Sequence, residues 1–493
     1  MRKQILFILS TFALLMYPLS LSAQNSTAGD QALTPDFDRD GQVGFPDFLV
    51  FVSQFGTRQG DGRYDARYDL DGDGEIGFSD FLIFSSSFGK SGDEVALVVI
   101  PDANLRAVVE GLLGKASGAP IKRSEMARLM RIEARNANIR DLTGLEFAPR
   151  LTFMDFGDEM VEGQSVNSNI ISDLTPLSGL TNLTHLYLTD NDITDVTPLS
   201  GLTGLEWLDL NDNIISDLTP LSDLTSVRWL NLSSNDITDL TPLSDLVGLR
   251  SLRLSDNIIT DLTPLSGLTR LGSLSLFSNI ISDLTPLSGL ANLRNLYLSF
   301  NGISDVTPLS GLTSLKTLLL SSNRFTDLTS LSGLTSLNRL YLNDNNITDV
   351  TSLSGLTNLT TLSLSVNNIT DVTPLSGLAN LIDLSLDRNS ISDLTPLSRL
   401  TRLNRLILFI NSISDLSPLV ANTGLGTGDL VDVERNPLSA MSYQMHIPAL
   451  QDRGVIVLIG ASKPAVEKKE FLEIEGREVG YISQVDRGGE GRD

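Results

Sequence analysis

Leucine and asparagine recur along most of the chain with a constant period, the interval that separates Asn191 from Asn213. In one such period Leu186 and Leu188 alternate with polar or aromatic residues, which predicts a short β-strand with one buried face. The next apolar position, Ile193, lacks that alternation and is expected to point into a core shared with neighbouring repeats. A fixed period of this length predicts a solenoid, in which equivalent residues stack in columns.

An asparagine stands at the same place in every period. Because the chain bends sharply there, backbone donors and acceptors are left facing the core. A side-chain amide offers both a donor and an acceptor, so stacked asparagines can form a ladder that satisfies neighbouring turns. The ladder is expected to be structural rather than catalytic. Its members are Asn169, Asn191, Asn213, Asn235, Asn257, Asn279, Asn301, Asn323, Asn345, Asn367, Asn389 and Asn411.

The other side of each repeat is predicted to be a short helical turn. Thr197 and Pro198 have the order of a helix N-cap followed by proline at the first helical position. Ser330 and Ser352 replace the proline in two repeats. The turn is expected on the convex side of the solenoid.

These features resemble the leucine-rich repeats of bacterial internalin-type proteins, which share the 22-residue unit and the Leu-Thr-Pro-Leu arrangement. The segment from Ile100 to Leu105 resembles that family's small helical N-terminal cap, and the likeness extends over residues 98–425. It implies an α/β solenoid, a leucine-rich-repeat horseshoe with a parallel β-sheet on the concave face and short 3-10 or helical turns on the convex face. The spacing before Asn169 is ten residues too long, which indicates an insertion around residues 157–166.

Two acidic segments, 36–47 and 69–80, repeat each other in sequence. Each has carboxylates at positions 1, 3, 5 and 12, glycine at position 6 and an apolar residue at position 8, the pattern of a calcium loop. Val43 and Ile76, at position 8, are expected to face each other across the paired loops. Gln42 and Glu75 would contribute backbone carbonyls. The predicted ligands of two calcium ions are Asp36, Asp38, Asp40, Gln42, Asp47, Asp69, Asp71, Asp73, Glu75 and Asp80.

An apolar helical pattern ending in Phe-Gly follows each loop, and Pro35 opposes a long helix before the first one. A duplicated loop with an exiting helix and Asp at position 12 resembles dockerin modules more than full EF-hands. The resemblance implies docking to a cohesin-like partner. Loop positions 10 and 11 hold Phe45 and Pro46, then Phe78 and Ser79, which departs from the Ser-Thr-type recognition pair often found in dockerins.

The outward strand positions are expected to line the concave face, the usual binding surface of a solenoid. Both tryptophans stand there in adjacent repeats of one column with a histidine alongside, and stacked repeats lie about 4.8 Å apart. Protein interfaces and sugar platforms both use such aromatics with arginine. Aromatics also favour strands simply because they cover their neighbours. The candidate ligand-binding residues are His185, Tyr187, Trp207, Asp209, Trp229, Arg253, Tyr297, Arg339 and Tyr341.

The chain ends complete the predicted organisation. Arg2 and Lys3, an apolar stretch to Leu15 and small residues up to Ala23 predict a secretory signal, so an exported protein without a membrane span is expected. Alternating valines near residue 431 indicate a C-terminal cap. The expected segments are 1–23 (signal peptide), 24–33 (linker), 34–90 (paired calcium loops), 91–97 (linker), 98–150 (N-terminal cap), 151–430 (repeats), 431–460 (C-terminal cap) and 461–493 (polar tail).

The composition argues against two classes of function, nucleic-acid binding and catalysis. A column of thirteen aspartates contributes much of the net charge of −24, and no basic stripe is present to neutralise nucleic-acid phosphates. Cysteine is absent, and His185 and His446 lie far apart in sequence, so no catalytic residue is indicated and an enzyme is not expected. The leading hypothesis is a secreted or cell-surface, monomeric, calcium-binding repeat protein that binds protein or glycan on its concave face. The alternative is a dockerin-like component of a carbohydrate-active surface assembly.

Overall fold

The computed structural model describes residues 34–157, 169–460, 471–474 and 477–481. The chain divides into two compact units, Met1–Leu315 and Lys316–Asp493. Several predicted segments lie outside the described residues. They are the signal peptide (1–23), the linker at 24–33, the insertion at 157–166 except Gly157, and most of the polar tail.

The first unit begins with the two acidic loops and their exiting helices, α1 (Phe45–Gln54) and α2 (Phe78–Ser87), joined through a 3-10 turn at Ala66–Tyr68. Phe51 of α1 and Phe84 of α2 are fully buried between the helices, with their rings stacked at a centroid distance of 5.4 Å. This apolar contact gives the small module a core of its own.

Val43 and Ile76 do not pair with each other, contrary to the expectation, and their side chains belong to different apolar clusters. The backbone N–H of Val43 donates to Lys90 at 3.0 Å, beyond α2. The N–H of Ile76 donates to Thr57 at 2.9 Å, beyond α1. Each loop is therefore held by the segment that follows the opposite helix, and this leaves no backbone partner for a direct pairing.

Residues 91–97, expected as a linker, instead form helix α3 (Gly92–Val95) and the start of strand β1 (Leu97–Val98). Strand β1 pairs antiparallel with β2 (Ile121–Lys122). Helices α4 (Ala103–Leu113) and α5 (Arg123–Met126) complete the helical N-terminal cap that the sequence predicts. The segment is held on both sides: Val95 and Leu97 pack with apolar side chains of the acidic module, and Leu97 also pairs with β2 of the cap.

Asp102 joins the cap to the first repeat. Its carboxylate accepts hydrogen bonds from the N–H groups of Asn104 and Leu105 at the start of α4, and from the N–H of Arg140 at 2.8 Å. The helix ends at Gly114, whose φ of 65° places it in the left-handed region that favours glycine.

Each repeat of the first unit contributes a three-residue strand whose central leucine, isoleucine or methionine is buried. Neighbouring strands pair in parallel and in register, as in the pairing of Leu208 with Leu230. The strands are β3 (Arg131–Glu133), β4 (Phe153–Asp155), β5 (His185–Tyr187), β6 (Trp207–Asp209), β7 (Trp229–Asn231), β8 (Ser251–Arg253), β9 (Ser273–Ser275) and β10 (Asn295–Tyr297).

The second unit continues the same repeat and ends in a cap made of a π-helical turn (Ser442–His446) and helix α7 (Ile447–Asp452). A separate antiparallel hairpin, Phe471–Ile474 with Arg477–Tyr481, follows; the sequence did not predict it. The parallel strands are β11 (Thr317–Leu319), β12 (Arg339–Tyr341), β13 (Thr361–Ser363), β14 (Asp383–Ser385), β15 (Arg405–Ile407), β16 (Leu430–Asp432) and β17 (Ile456–Leu458). Within the described ranges, no helix has both the length and the apolar character to cross a bilayer.

The predicted helical turns are 3-10 turns, including those in which Ser330 and Ser352 replace proline, so the predicted solenoid class is confirmed. The start of the turn differs from the prediction: Thr197 is the first residue of the turn rather than its N-cap, which is Val196. The Asp195 carboxylate accepts from the Thr197 N–H at 2.8 Å. The equivalent bond is present from Asp141 to Asp415. The turns and the terminal α6 are Leu145–Phe147, Thr175–Leu177, Thr197–Leu199, Thr219–Leu221, Thr241–Leu243, Thr263–Leu265, Thr285–Leu287, Thr307–Gly311, Thr329–Leu331, Thr351–Leu353, Thr373–Gly377, Thr395–Arg399 and α6 (Ser417–Ala421).

The asparagine ladder is present within each unit. The Asn257 amide nitrogen donates to the carbonyls of Leu232 (3.0 Å), Leu254 (3.2 Å) and Ser255 (3.1 Å). Its oxygen accepts from the N–H of Ile237 at 3.0 Å. One side chain thus joins its own bend to the preceding repeat, which confirms the predicted structural role. The cap residue Asn436 makes the same acceptor bond, to the Ile413 N–H at 3.0 Å, in the second unit.

The residue before each ladder asparagine from Asn191 to Asn411 has a positive φ, between 53° and 59°. Most repeats place aspartate or serine there. Val366 and Ile410 are β-branched residues in this left-handed conformation, which places Cβ close to the carbonyl oxygen. These two positions carry local backbone strain that the fold tolerates.

Replacing one ladder amide should destabilise the array strongly. Asn257→Ala removes four hydrogen bonds and leaves buried backbone groups unsatisfied, so we expect a loss of about 3 kcal/mol in the free energy of unfolding, measured by urea denaturation. The control is Asn292→Ala, an exposed asparagine whose amide donates to one carbonyl, that of Thr269. Its expected loss is below about 1 kcal/mol. Equal losses in the two variants would contradict the ladder's role.

Relieving the strain at residue 366 should stabilise the protein. Asparagine tolerates the left-handed region better than valine, so Val366→Asn is expected to raise the free energy of unfolding by about 1 kcal/mol. The readout is the thermal midpoint. Val247→Asn is the matched control, because Val247 is also exposed but does not have a positive φ. A similar gain in both variants would show that the removal of an exposed apolar group, rather than the backbone, is the cause.

Candidate functional site

A column of rings crosses adjacent strands of the first unit on the face that points away from the core. Parallel register pairs Phe153 with His185, His185 with Trp207, and Trp207 with Trp229. The ring centroids are 5.9, 6.4 and 4.3 Å apart in that order. The corresponding interplanar angles are 27°, 12° and 13°, so the rings stack face to face across the strands.

An arginine covers each end of this column. The Arg131 guanidinium carbon on β3 lies 3.4 Å from the Phe153 ring centroid. The Arg253 guanidinium carbon on β8 lies 5.2 Å from the Trp229 centroid. Both distances are within the range of cation–π attraction. We refer to Arg131, Phe153, His185, Trp207, Trp229 and Arg253 together as the aromatic stack.

Tyr187 borders the stack on the next outward column. Its ring centroid is 5.5 Å from that of Phe153 and 6.4 Å from that of Trp207. Two residues after Phe153, the buried Asp155 forms an ion pair with Arg135 at 2.6 Å. Arg131 is also paired, with Glu133. The rings therefore sit among balanced charges rather than in a one-sign field.

Four predicted ligand-binding residues are buried, which corrects the expectation that all nine lie open on the sheet. The exposed fractions are 0% for Asp209, 5% for Trp229, 8% for Arg253 and 4% for Tyr297. For Trp229 the reason is the close strand spacing, since the Trp207 ring of the preceding repeat covers it and the Arg253 guanidinium lies over it as well. His185, Tyr187 and Trp207 are half-buried. The indole N–H groups of Trp207 and Trp229 are buried without an acceptor among the described residues.

Arg131 and Phe153 belong to the stack but were missed by the sequence reasoning. The interval from Phe153 to His185 is ten residues longer than a normal period because the insertion lies between them. Counting back from His185 by the ten inserted residues and one period gives Phe153, and one further period gives Arg131.

The remaining predicted residues, Arg339 and Tyr341, lie on β12 of the second unit, exposed and half-buried respectively. That unit also has two outward carboxylates that the sequence reasoning did not select. Burial raises the pKa of Asp387, which accepts a hydrogen bond from the Ser365 hydroxyl. Burial also raises the pKa of Asp432 to about 6.

The acidic loops bring together two trios of carboxylates. Asp36, Asp38 and Asp40 each offer an oxygen within 4.8 Å of the others, and Asp69, Asp71 and Asp73 do the same. Such clusters of hard oxygens suit a hard divalent cation. Asp36 is 6% exposed, and its Oδ1 is buried without a hydrogen-bond partner among the described residues. Burial raises the pKa of Asp36 to about 6.

The position-12 residues Asp47 and Asp80 are not in these trios. Asp47 accepts the N–H groups of Phe37 (2.5 Å) and Gly44 (2.7 Å), which folds the loop back on itself. Asp80 makes the corresponding bond to the Gly77 N–H at 2.6 Å. Burial raises the pKa of both carboxyl groups.

The position-7 residues direct their backbone N–H groups into the loops. Gln42 donates to Asp40 and Glu75 to Asp73, each at 2.8 Å. The Glu75 carboxylate forms an ion pair with Arg58 at 2.8 Å. Glu75 would therefore contribute its backbone carbonyl to an ion, and not its side chain.

The C-terminal cap brings a serine, a histidine and an aspartate together. Ser442 Oγ and Asp415 Oδ1 both lie 3.3 Å from the same ring nitrogen, Nδ1 of His446. A nucleophile–base–carboxylate relay needs the two ring nitrogens to face different partners. Ser442 is also fully buried and donates to the Ser414 carbonyl. This group therefore anchors the cap and does not have the geometry of a catalytic triad.

Comparison with protein families matches the family described as "Leucine Rich repeats (2 copies)" over residues 181–223 and 225–399. No match is found among curated proteins. An internalin (inlF) from Listeria monocytogenes is 34% identical, with 66% of this chain and 94% of that chain aligned at a TM-score of 0.63. The leucine-rich-repeat protein LIC12759 of Leptospira interrogans is 22% identical, with coverages of 68% and 97% and a TM-score of 0.58.

The functional domain of InlJ from Listeria monocytogenes is similar over 68% of this chain and 80% of that one, at 25% identity and a TM-score of 0.50. That domain is described as including a cysteine ladder, whereas this chain has no cysteine and uses asparagine. The chain belongs to the leucine-rich-repeat proteins of internalin type. Proteins of this type are generally protein-interaction modules.

Proposed function

We propose that this protein binds a protein partner on the outward face of its first repeats, through the aromatic stack. The observation that carries the proposal is the unbroken run of rings and guanidinium groups from Arg131 to Arg253. Tryptophan, tyrosine and arginine dominate the energetics of protein interfaces. Because stacking already fixes these side chains, they lose little further rotamer entropy when a partner binds.

The orientation of the rings favours a protein over a glycan. Trp207 and Trp229 cover each other's faces at 4.3 Å, and the indole N–H groups of both are buried. A sugar platform needs an open aromatic face, which this pair does not offer. The exposed Arg131 and the half-buried His185 and Trp207 fit instead a polypeptide that packs against the column.

We also propose that the two aspartate trios bind calcium, one ion each. The support is the ligand chemistry of the trios and the unpartnered Oδ1 of Asp36, an oxygen that a cation would satisfy. Asp38, Asp40, Asp71 and Asp73 would supply the other carboxylates. An ion there would order the loops. The N-terminal apolar stretch supports export, an environment in which calcium at millimolar concentration can fill such loops.

A dockerin-like docking role is the alternative, and one observation favours it. Phe78 and Leu82 on α2 are 62% and 53% exposed, and the equivalent residues Phe45 and Leu49 on α1 are 50% and 55% exposed. The duplication thus presents the same apolar pair twice. A cohesin-like partner would bind one of these pairs.

Removing one ring of the stack should weaken partner capture without unfolding the array. Trp207→Ala is expected to lower affinity about tenfold or more for proteins captured from an array of surface proteins and glycans. The thermal midpoint checks that the fold is kept. Tyr443→Ala is the control, an exposed aromatic in the C-terminal cap.

Three results would count against the stack as a protein site. Capture unchanged by Trp207→Ala would reject its role in binding. Hits restricted to glycans would show that the partner class is wrong. Capture of a cohesin-like module that is lost in Phe78→Ser but kept in Trp207→Ala would favour the docking alternative.

Calcium titration of the full chain should give two ions bound, measured by calorimetry after treatment with a chelator. Asp71→Asn removes a charged ligand of the second loop and is expected to weaken that ion alone, which leaves one ion of unchanged affinity. Asp61→Asn is the matched control, since Asp61 is an exposed carboxylate between the loops and outside both trios. A stoichiometry of zero, or an equal effect of the two variants, would reject the proposed sites.

A further inference from the structure

The first acidic loop is hydrogen-bonded to the segment that enters the N-terminal cap. The Gly92 N–H donates to the Gly41 carbonyl of the loop at 3.2 Å, and the Gly92 carbonyl accepts from the Thr34 hydroxyl at 3.4 Å. One residue earlier, Ser91 forms an antiparallel bridge with Gln42. These contacts place the start of α3 directly against the loop that carries Asp36.

Gly92 packs against the Asp36 carboxylate so closely that no side chain fits between them. A Cβ atom at residue 92 would lie 2.6 Å from Asp36 Oδ2 and 3.2 Å from Asp36 Cβ. Asp36 Oδ2 is already held by the Gly41 N–H at 3.0 Å. Any side chain at residue 92 would therefore displace the carboxylate whose Oδ1 is buried and unpartnered.

The residues that follow Gly92 belong to the acidic module and to the cap at once. Val95 and Leu97 are 1% and 3% exposed and pack in one apolar cluster with Val43 and Phe84. Leu97 also pairs with β2 of the cap.

Ala96, between these two residues, accepts a hydrogen bond from the Arg123 N–H at 2.8 Å, the first turn of α5. The continuous strip from Gly92 to Leu97 thus connects a candidate ligand to the cap without an intervening flexible joint.

The second loop lacks this connection. The residue of the second loop that is equivalent to Gly92 is Gln59, which precedes it by the same interval as Asp36 precedes Asp69. The Gln59 N–H donates to the Gly74 carbonyl at 2.8 Å. The position-1 residue Asp69 is held instead by the Tyr64 hydroxyl at 2.6 Å, inside the acidic module. The two loops therefore share the spacing of their aspartates but differ in the residue that contacts the position-1 aspartate, Gly92 in the first loop and Tyr64 in the second.

We propose that calcium in the first loop stabilises the N-terminal cap of the solenoid, and that Gly92 is the positioning residue that links the two. The inference rests on the proposed calcium binding. An ion that binds only the folded loop stabilises every element that unfolds together with it. The acidic module then acts as the calcium-dependent outer layer of the cap, rather than as a domain on a free tether.

Hydrogen exchange on the full chain, with calcium or with chelator, tests this. The Arg123 amide reports on the cap through its bond to Ala96, and the Leu254 amide, bonded to Ser275, reports on the distant repeats. At a calcium concentration 100 times the dissociation constant, exchange at Arg123 should slow by up to about 100-fold. Exchange at Leu254 should not change.

Gly92→Ala should lower calcium affinity at the first loop about tenfold or more and remove the calcium effect at Arg123, with the second ion still bound. Gly62→Ala is the matched control, because a Cβ at Gly62 meets no atom within 4 Å. Val95→Ala is a second variant, which changes no candidate ligand and no residue of either loop sequence. It should keep both ions and reduce the calcium effect at Arg123.

The outcomes separate this inference from the binding proposal. If no calcium binds, the proposed sites fail. If two ions bind while Arg123 exchange is the same with calcium and with chelator, the coupling is wrong and the sites stand. If Gly92→Ala keeps full affinity at the first loop, the positioning role of Gly92 is overturned.

Discussion

The repeats bury backbone groups at a bend where no strand or helix partner reaches them, and asparagine amides such as that of Asn257 satisfy these groups. The amide of Asn257 bonds to its own bend and to the repeat before it, so neither repeat can rotate or slip without leaving buried groups unpaired. Together with the buried leucine columns, this requirement holds the strands in register.

Fixed register turns a linear sequence into columns, and the columns decide the surface chemistry. Parallel strands lie about 4.8 Å apart, close to the distance at which aromatic rings stack. Rings at one strand position in adjacent repeats must therefore touch, as Trp207 and Trp229 do. The same contact that makes the stack rigid also hides Trp229. A patch built this way offers few open ring faces. Its chemistry therefore depends on the residues at its two ends, Arg131 and Arg253.

The sequence predicts most of the fold because each structurally required residue type recurs at the same position in many repeats. Strands, turns and the asparagine ladder follow from periodicity, the helical cap was expected from the family resemblance, and the aspartate trios follow from the spacing of one duplicated motif. The missed features are those that occur once. An insertion between Phe153 and His185 breaks the sequence period, so the spacing did not show that Phe153 belongs to the column. The strip from Gly92 to Leu97 looks like a linker until its neighbours are known. The burial of Asp209 and Trp229 depends on what adjacent repeats place beside them, which a single column does not reveal.

The aspartates that accept hydrogen bonds at the start of the 3-10 turns have a consequence for behaviour in acid. Hydrogen bonds from the hydroxyl and the N–H of Thr197 lower the pKa of Asp195, and the corresponding threonine lowers the pKa of Asp217 and Asp239. These carboxylates are fully exposed or nearly so, and they keep their charge when ordinary surface acids have begun to lose it. Molecules of this protein should therefore continue to repel one another in mildly acidic solution, where the net charge of many acidic proteins approaches zero and they aggregate.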